Sequence, residues 1–141
     1  MQVYLAAAMT NPARDLTVVR ALLAYLESSG HTVPTRHVAD AGGKAADREL
    51  TDRHLARRDL AWLAASDAVV AEVSTPSHGV GVEVTAAVAA GTPVLLLAGA
   101  GVPVSRLLLG LEGVEARTYR SKEEAVEWTA SFLAHVNAGP A

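Results

Sequence analysis

The 141-residue sequence contains no cysteine. A disulfide framework and a thiolate nucleophile are therefore excluded, which fits a reducing interior. The sequence also lacks a charge excess: its formal net charge is −3, with no electrostatic footprint for nucleic acid or an anionic membrane. No stretch approaches the roughly 20 consecutive apolar residues of a membrane span. The opening MQVYLAAAMTNP has neither the basic start nor the long apolar run of a signal peptide. These absences predict a soluble, cytoplasmic protein. The five histidines show no HxH or HxxxH spacing, so no metal site is expected. There is no G-x-S-x-G elbow, hence no serine hydrolase of that type. Neither a Walker loop nor a GxGxxG fingerprint is present. Repeats, linkers and low-complexity blocks are missing too. Half the residues are apolar, mostly Ala, Val and Leu, enough for one domain with a real core.

Strand-like and helix-like segments alternate along the chain. QVYLAAA (2–8) is a short apolar run suited to a buried strand. A helix follows, with Asn11 able to cap it and Pro12 acceptable at its first position. Val19, Leu22, Leu23 and Leu26 form its apolar face, and Gly30 stops it. HTVPT (31–35) reads as a second strand, and HVADAGGKAADRE as a polar loop long enough to suggest a function. LTDRHLARRDLAWLAAS is a helix and DAVVAEVS a third strand. GVEVTAAVAAG reads as a helix closed by Gly91, and TPVLLLAG as a fourth strand. VPVSRLLLGL is a short helix and VEART an edge strand. The last helix has Ser121 as cap and Glu124 at the capping-box position. The expectation is a doubly wound α/β fold with a five-stranded parallel sheet, filling residues 1–137 and followed by a flexible tail at 138–141. Such sheets bind ligands at the carboxyl ends of their strands.

One stretch there, STPSHGVGVEVTAAVAAG (74–91), carries the chemistry. Gly79 and Gly81 allow backbone N–H groups to approach an anion at a helix start, and Ser77 adds a hydroxyl donor. A tight turn would use the same glycines. Glu83 falls just inside the first helical turn as read from the sequence, among Val82, Val84, Ala86 and Ala87. A merely dipole-friendly acid would be solvated. Asp59 lies between Leu55 and Leu63 on one helical face, beside Trp62, with Arg57 and Arg58 as available partners. A carboxylate in an apolar stripe needs a partner or a role. Two carboxylates and an anion cradle suit nucleophilic attack on the anomeric carbon of a sugar whose phosphate sits in the cradle. Tyr4, on the first strand, is either a core aromatic or a catalytic contributor, and His37 is either a solvated loop residue or a ligand contact.

The segments VYLAAAM, HVAD and RRDLAWLAASDAVVAEVSTPSHGVGVE together resemble the 2′-deoxynucleoside 5′-phosphate N-hydrolases, within the wider nucleoside 2-deoxyribosyltransferase superfamily. The resemblance runs from about Tyr4 to Gly110. It implies a flavodoxin-like or Rossmann-like fold, a homodimer, no cofactor, and cleavage of a nucleoside 5′-monophosphate into free base and sugar 5-phosphate. Transfer of the sugar to a second base is the close alternative, and a nucleotide-binding sensor that does not cleave is the alternative from another class. The family's nucleophilic glutamate falls on Glu83, its assisting acid on Asp59 and its strand-one tyrosine on Tyr4. Its phosphate-binding serine and glycines fall on Ser77, Gly79 and Gly81, and its base-pocket histidine on His37. A serine supplied by the neighbouring subunit falls on Ser105. Where the family usually reads G-S-I-R-G-G, this chain has Ala7, Ala8, Met9, Thr10, Asn11 and Pro12, so Met9 and Thr10 occupy the phosphate loop without its arginine. Threonine does not replace a bidentate guanidinium. Either another cation, such as Arg14, Arg36 or Arg106, takes its place, or the phosphate is held less tightly and a substrate lacking it is open.

Overall fold

The computed structural model describes residues 1–45 and 47–139, Lys44 by its backbone alone. Four parallel strands form one sheet in the order β1 (Val3–Ala7), β2 (Ala68–Glu72), β3 (Val94–Gly99), β4 (Val114–Tyr119). Between β1 and β2 run α1 (Leu16–Ser28), two short 3₁₀ turns (Arg36–Ala39 and Gly43–Ala45) and α2 (Asp52–Ala64). The helices α3 (His78–Ala89) and α4 (Arg106–Leu109) make the next two crossovers, and α5 (Lys122–Ala138) closes the chain.

The first three strands are buried on both faces, which is why they read as continuous apolar runs rather than alternations. Side chains alternate across the sheet. Val3 and Leu5 pack with Leu22 and Leu26 of α1 and Phe132 of α5 on one face. Tyr4, Ala6 and Val69 pack with Leu63 of α2 and Val84 of α3 on the other. Each fully buried Leu or Val contributes about 1.5–3 kcal/mol to this two-sided core.

Among the described residues the sheet has four strands rather than the expected five. In segment 31–35 only Thr32 pairs, bridging Gln2; its carbonyl accepts from Val3 N–H at 2.8 Å and its N–H donates to the Met1 carbonyl at 3.0 Å. Pro34 then ends the run, since it has no N–H to offer a ladder. Beyond it the hydroxyl of Thr35, itself buried, donates to the Leu5 carbonyl at 2.7 Å and accepts from Leu5 N–H at 3.1 Å. One side chain thus satisfies the β1 edge where a strand would have lain.

Two helix starts also differ from the sequence reading. Asp15, not Asn11, caps α1, accepting from Thr17 N–H at 2.8 Å; Asn11 instead caps a turn through Ala13 N–H at 3.0 Å. Ser77 caps α3, so Glu83 lies in the second turn of that helix, not the first. At the carboxyl end α5 continues through Ala138, and the rest of the expected tail, residues 140–141, lies outside the described residues. No described helix is long and apolar enough to cross a membrane.

Candidate active site

The carboxyl ends of β1 and β2 open into a cavity of about 490 Å³, within the range of small-molecule sites. One end of it is the start of α3. The Ser77 hydroxyl accepts from Val80 N–H at 3.4 Å, leaving the amides of His78 and Gly79 without helical partners at the positive end of the macrodipole. The Gly81 amide is already engaged, donating to the Ser77 carbonyl at 3.3 Å.

The loop before α3 is tied down from the opposite face of the sheet. Glu72, buried at the end of β2, accepts at one oxygen from the Ser74 amide (3.1 Å), the Ser74 hydroxyl and the Tyr119 hydroxyl (2.9 Å). The Ser74 hydroxyl also accepts from Gly99 N–H at 2.8 Å. The ends of three strands are thereby linked. Burial, together with the charge of Glu72, pushes the Tyr119 hydroxyl up to about 12.

Two acids, Glu83 and Asp59, line the same cavity. Tyr4, 1% exposed, donates from its hydroxyl to Glu83 Oε1 at 2.6 Å, the length of a charge-assisted hydrogen bond. Burial is the largest influence on Glu83 and raises its carboxyl to about 7; the Asp59 charge adds to this and the Tyr4 hydrogen bond opposes it. The Tyr4 hydroxyl is itself driven upward, first by burial and then by Glu83. Asp59 is held by its chain neighbour: Arg58 Nε and Nη2 both lie 2.8 Å from Asp59 Oδ1. Only the Nε contact has hydrogen-bond geometry, and Nη2 is otherwise without a partner among the described residues. Arg58 Nη1 also bonds Asp47 Oδ1 at 2.8 Å, and the guanidinium sits 4.5 Å above the Trp62 ring centroid. Burial alone would lower the Arg58 value, but Asp47 and Asp59 raise it. Arg58 is thus the partner that the Asp59 position demanded, while Arg57 points outward.

Tyr4, Met9, Thr10, His37, Asp59, Ser77, Gly79 and Glu83 all line this cavity. Gly81 and Ser105 do not. They border an apolar groove of about 690 Å³ between α3 and α4 that shares Ser77 with the cavity. His37 is set by its loop: its ring lies 6.1 Å from the Trp62 ring, and a Cβ at Gly43 would collide with the His37 carbonyl. Arg14, one candidate cation, clamps that loop instead, donating to the carbonyls of Ala8 (3.3 Å), Val38 (3.3 Å) and Asp40 (2.7 Å). Arg36 pairs with Glu27 at 3.1 Å, and Arg106 does not reach the cavity. Among the lining residues that the sequence reading did not assign are Thr35, Val38, Asp47 and Arg48. They lie in the stretch between α1 and α2, which has no periodicity to signal a face. No cluster of three His, Asp or Glu able to hold a metal ion occurs among the described residues.

A family model described as nucleoside 2-deoxyribosyltransferase matches residues 3–129. A Thermofilum pendens protein named as a putative 2′-deoxynucleoside 5′-phosphate N-hydrolase is 38% identical over 94% of this chain and 95% of its own. The 5-hydroxymethyl-dUMP N-hydrolase of Mus musculus is 35% identical over 89% of this chain and 75% of its own. Among solved structures, the Clostridium botulinum CMP N-glycosidase has the same fold, with a TM-score of 0.71 at 20% identity over 94% of this chain and 99% of its own. A 2-deoxyribosyltransferase from Bacillus psychrosaccharolyticus follows at 0.65 and 17%, over 94% and 96%. On the extent of the family match and these identities, the chain belongs to the nucleoside 2-deoxyribosyltransferase family.

Proposed function

We propose that this protein hydrolyses the N-glycosidic bond of a nucleoside 5′-monophosphate, with Glu83 as nucleophile. The observation that carries the reading is Glu83 itself, bonded to Tyr4 and set in the second turn of the helix whose first amides are free. Those amides and Ser77 hold the phosphate, and the sugar then lies along the wall that bears Glu83, Tyr4 and Asp59. His37, Val38 and Leu55 are left for the base.

A carboxylate oxygen of Glu83 attacks the anomeric carbon. The base leaves with the electron pair of the C–N bond and takes a proton from solvent. Water then attacks the same carbon, gives its proton to Asp59 and frees Glu83. Asp59, held by Arg58 at one oxygen, lines the same cavity and can accept that proton and the hydrogen bonds of sugar hydroxyls. Tyr4 releases its hydrogen bond as the ester forms, because the attacking oxygen loses its charge. The relatives named as nucleotide N-hydrolases and as a CMP N-glycosidase support this chemistry. The family model's description favours a second fate for the glycosyl-enzyme, transfer of the sugar to another base. A nucleotide substrate fits a cytoplasmic enzyme. A homodimer, with Ser105 approaching the partner's site, is supported by the apolar groove beside Ser77.

The test is chromatographic. A panel of ribo- and deoxynucleoside monophosphates incubated with the parent protein is expected to yield free base. Folded Glu83→Gln should release it at least about 10³-fold more slowly. Base release at the parent rate by that variant would overturn the mechanism.

A further inference from the structure

We propose that Arg48 selects for a negatively charged group on the ligand. This rests on the nucleotide reading of the cavity. Three carboxyl groups line that cavity: Glu83, Asp59 and Asp47. Arg58 compensates two of them, Asp59 through Nε and Asp47 through Nη1, and does not itself line the cavity. A phosphate entering beside these acids meets repulsion, and a helix start supplies only about half an elementary charge against it. A full cation is needed at the same wall.

Arg48 is the one Arg or Lys among the described side chains that lines the cavity. It also borders the adjoining groove with Met9, Thr10 and Asn11, so it stands where the cavity meets the loop that follows β1. That is the loop in which Thr10 leaves the cradle without a charge. Three other arginines near the site are engaged: Arg14 on three carbonyls, Arg20 on the Ala39 carbonyl, Arg58 on two acids. Arg48 makes no hydrogen bond or ion pair with any described residue and is exposed at the rim. Its guanidinium can grip a phosphate bidentately with no native contact to break.

The experiment uses Arg48→Gln and Arg48→Lys in the full chain, with thermal unfolding as a check of folding. Ribose 5-phosphate, which has no bond to cleave, is titrated calorimetrically at low ionic strength. Loss of one charged hydrogen-bonding group is expected to weaken it about tenfold or more in Arg48→Gln. Arg48→Lys should recover part of the loss, and added salt should shrink the difference. With a nucleoside monophosphate that the parent cleaves, KM should rise in Arg48→Gln while kcat stays within about threefold. Unchanged affinity for ribose 5-phosphate in Arg48→Gln, or no binding by the parent, overturns the proposal. If ribose 5-phosphate binding depends on Arg48 but the parent cleaves no nucleotide, Arg48 keeps its role and the glycosidase reading falls. If the parent cleaves nucleotides and Arg48→Gln does so with the same KM, the proposal alone falls.

Discussion

At the scale of single residues, the account turns on how one carboxyl is kept reactive. Glu83 near 7 is half protonated at neutral pH, and only its ionised form can attack. The pH profile of kcat/KM should therefore have an acid limb centred near 7, with activity at pH 6 roughly tenfold below that at pH 8. The Tyr4 hydrogen bond favours the ionised form, so Tyr4→Phe should move the limb to higher pH. A bond to a charged group is worth about 1.5–3 kcal/mol, which corresponds to a displacement of about one pH unit or more. A limb that stays in place in Tyr4→Phe would mean that the pair does not set the ionisation of Glu83. Raising the base strength of a buried carboxylate also makes it a better nucleophile once ionised. Burial thus trades the fraction of active enzyme against the reactivity of that fraction.

At the scale of elements, what was legible in the sequence was whatever rests on local pattern. Leu55, Asp59 and Leu63 share a face of α2, as their spacing required: Leu55 and Asp59 border the cavity and Leu63 is in the core. The strand runs AVVAEV and TPVLLLAG match β2 and β3, whereas Ser77, read only as a hydroxyl donor to an anion, also caps α3. Of the site's far wall only His37 was anticipated. Val38, Asp47 and Arg48 belong to a stretch set by contacts distant in sequence, such as the Arg14 clamp on the Val38 and Asp40 carbonyls. The missing fifth strand has a similar origin, since Thr35 takes over the β1 edge with its side chain. Gly43 tests how firmly this wall is held. Gly43→Ala drives a methyl group into the His37 carbonyl and against the Met9 side chain. The loop must then shift, and the variant should lose about 1–3 kcal/mol in urea unfolding. Its KM should rise more than its kcat falls. Unchanged stability and kinetics would show that the loop is not packed as described.

At the scale of the whole molecule, one surface stands out. Leu107 is 79% exposed and Val82 59% exposed, on either side of the groove that meets the cavity at Ser77. A second copy of the chain seated there would bury this apolar surface and bring its loop around Ser105 near the phosphate end. Leu107→Glu places a charge in that contact. By sedimentation the parent should be a dimer and Leu107→Glu largely a monomer, with reduced activity. A parent that sediments as a monomer at micromolar concentration would remove the shared-site idea and leave the cavity of one chain to do the work.

The two-step route through Glu83 makes a stereochemical demand that a direct attack by water does not. Methanol added as a competing acceptor captures the sugar as a methyl glycoside that cannot interconvert. If a glycosyl-enzyme forms, two displacements return the substrate's configuration, and NMR of the product should show the β-methyl sugar 5-phosphate alone. The α-anomer as product would mean that the acceptor attacks the nucleotide itself, and Glu83 would not be the nucleophile.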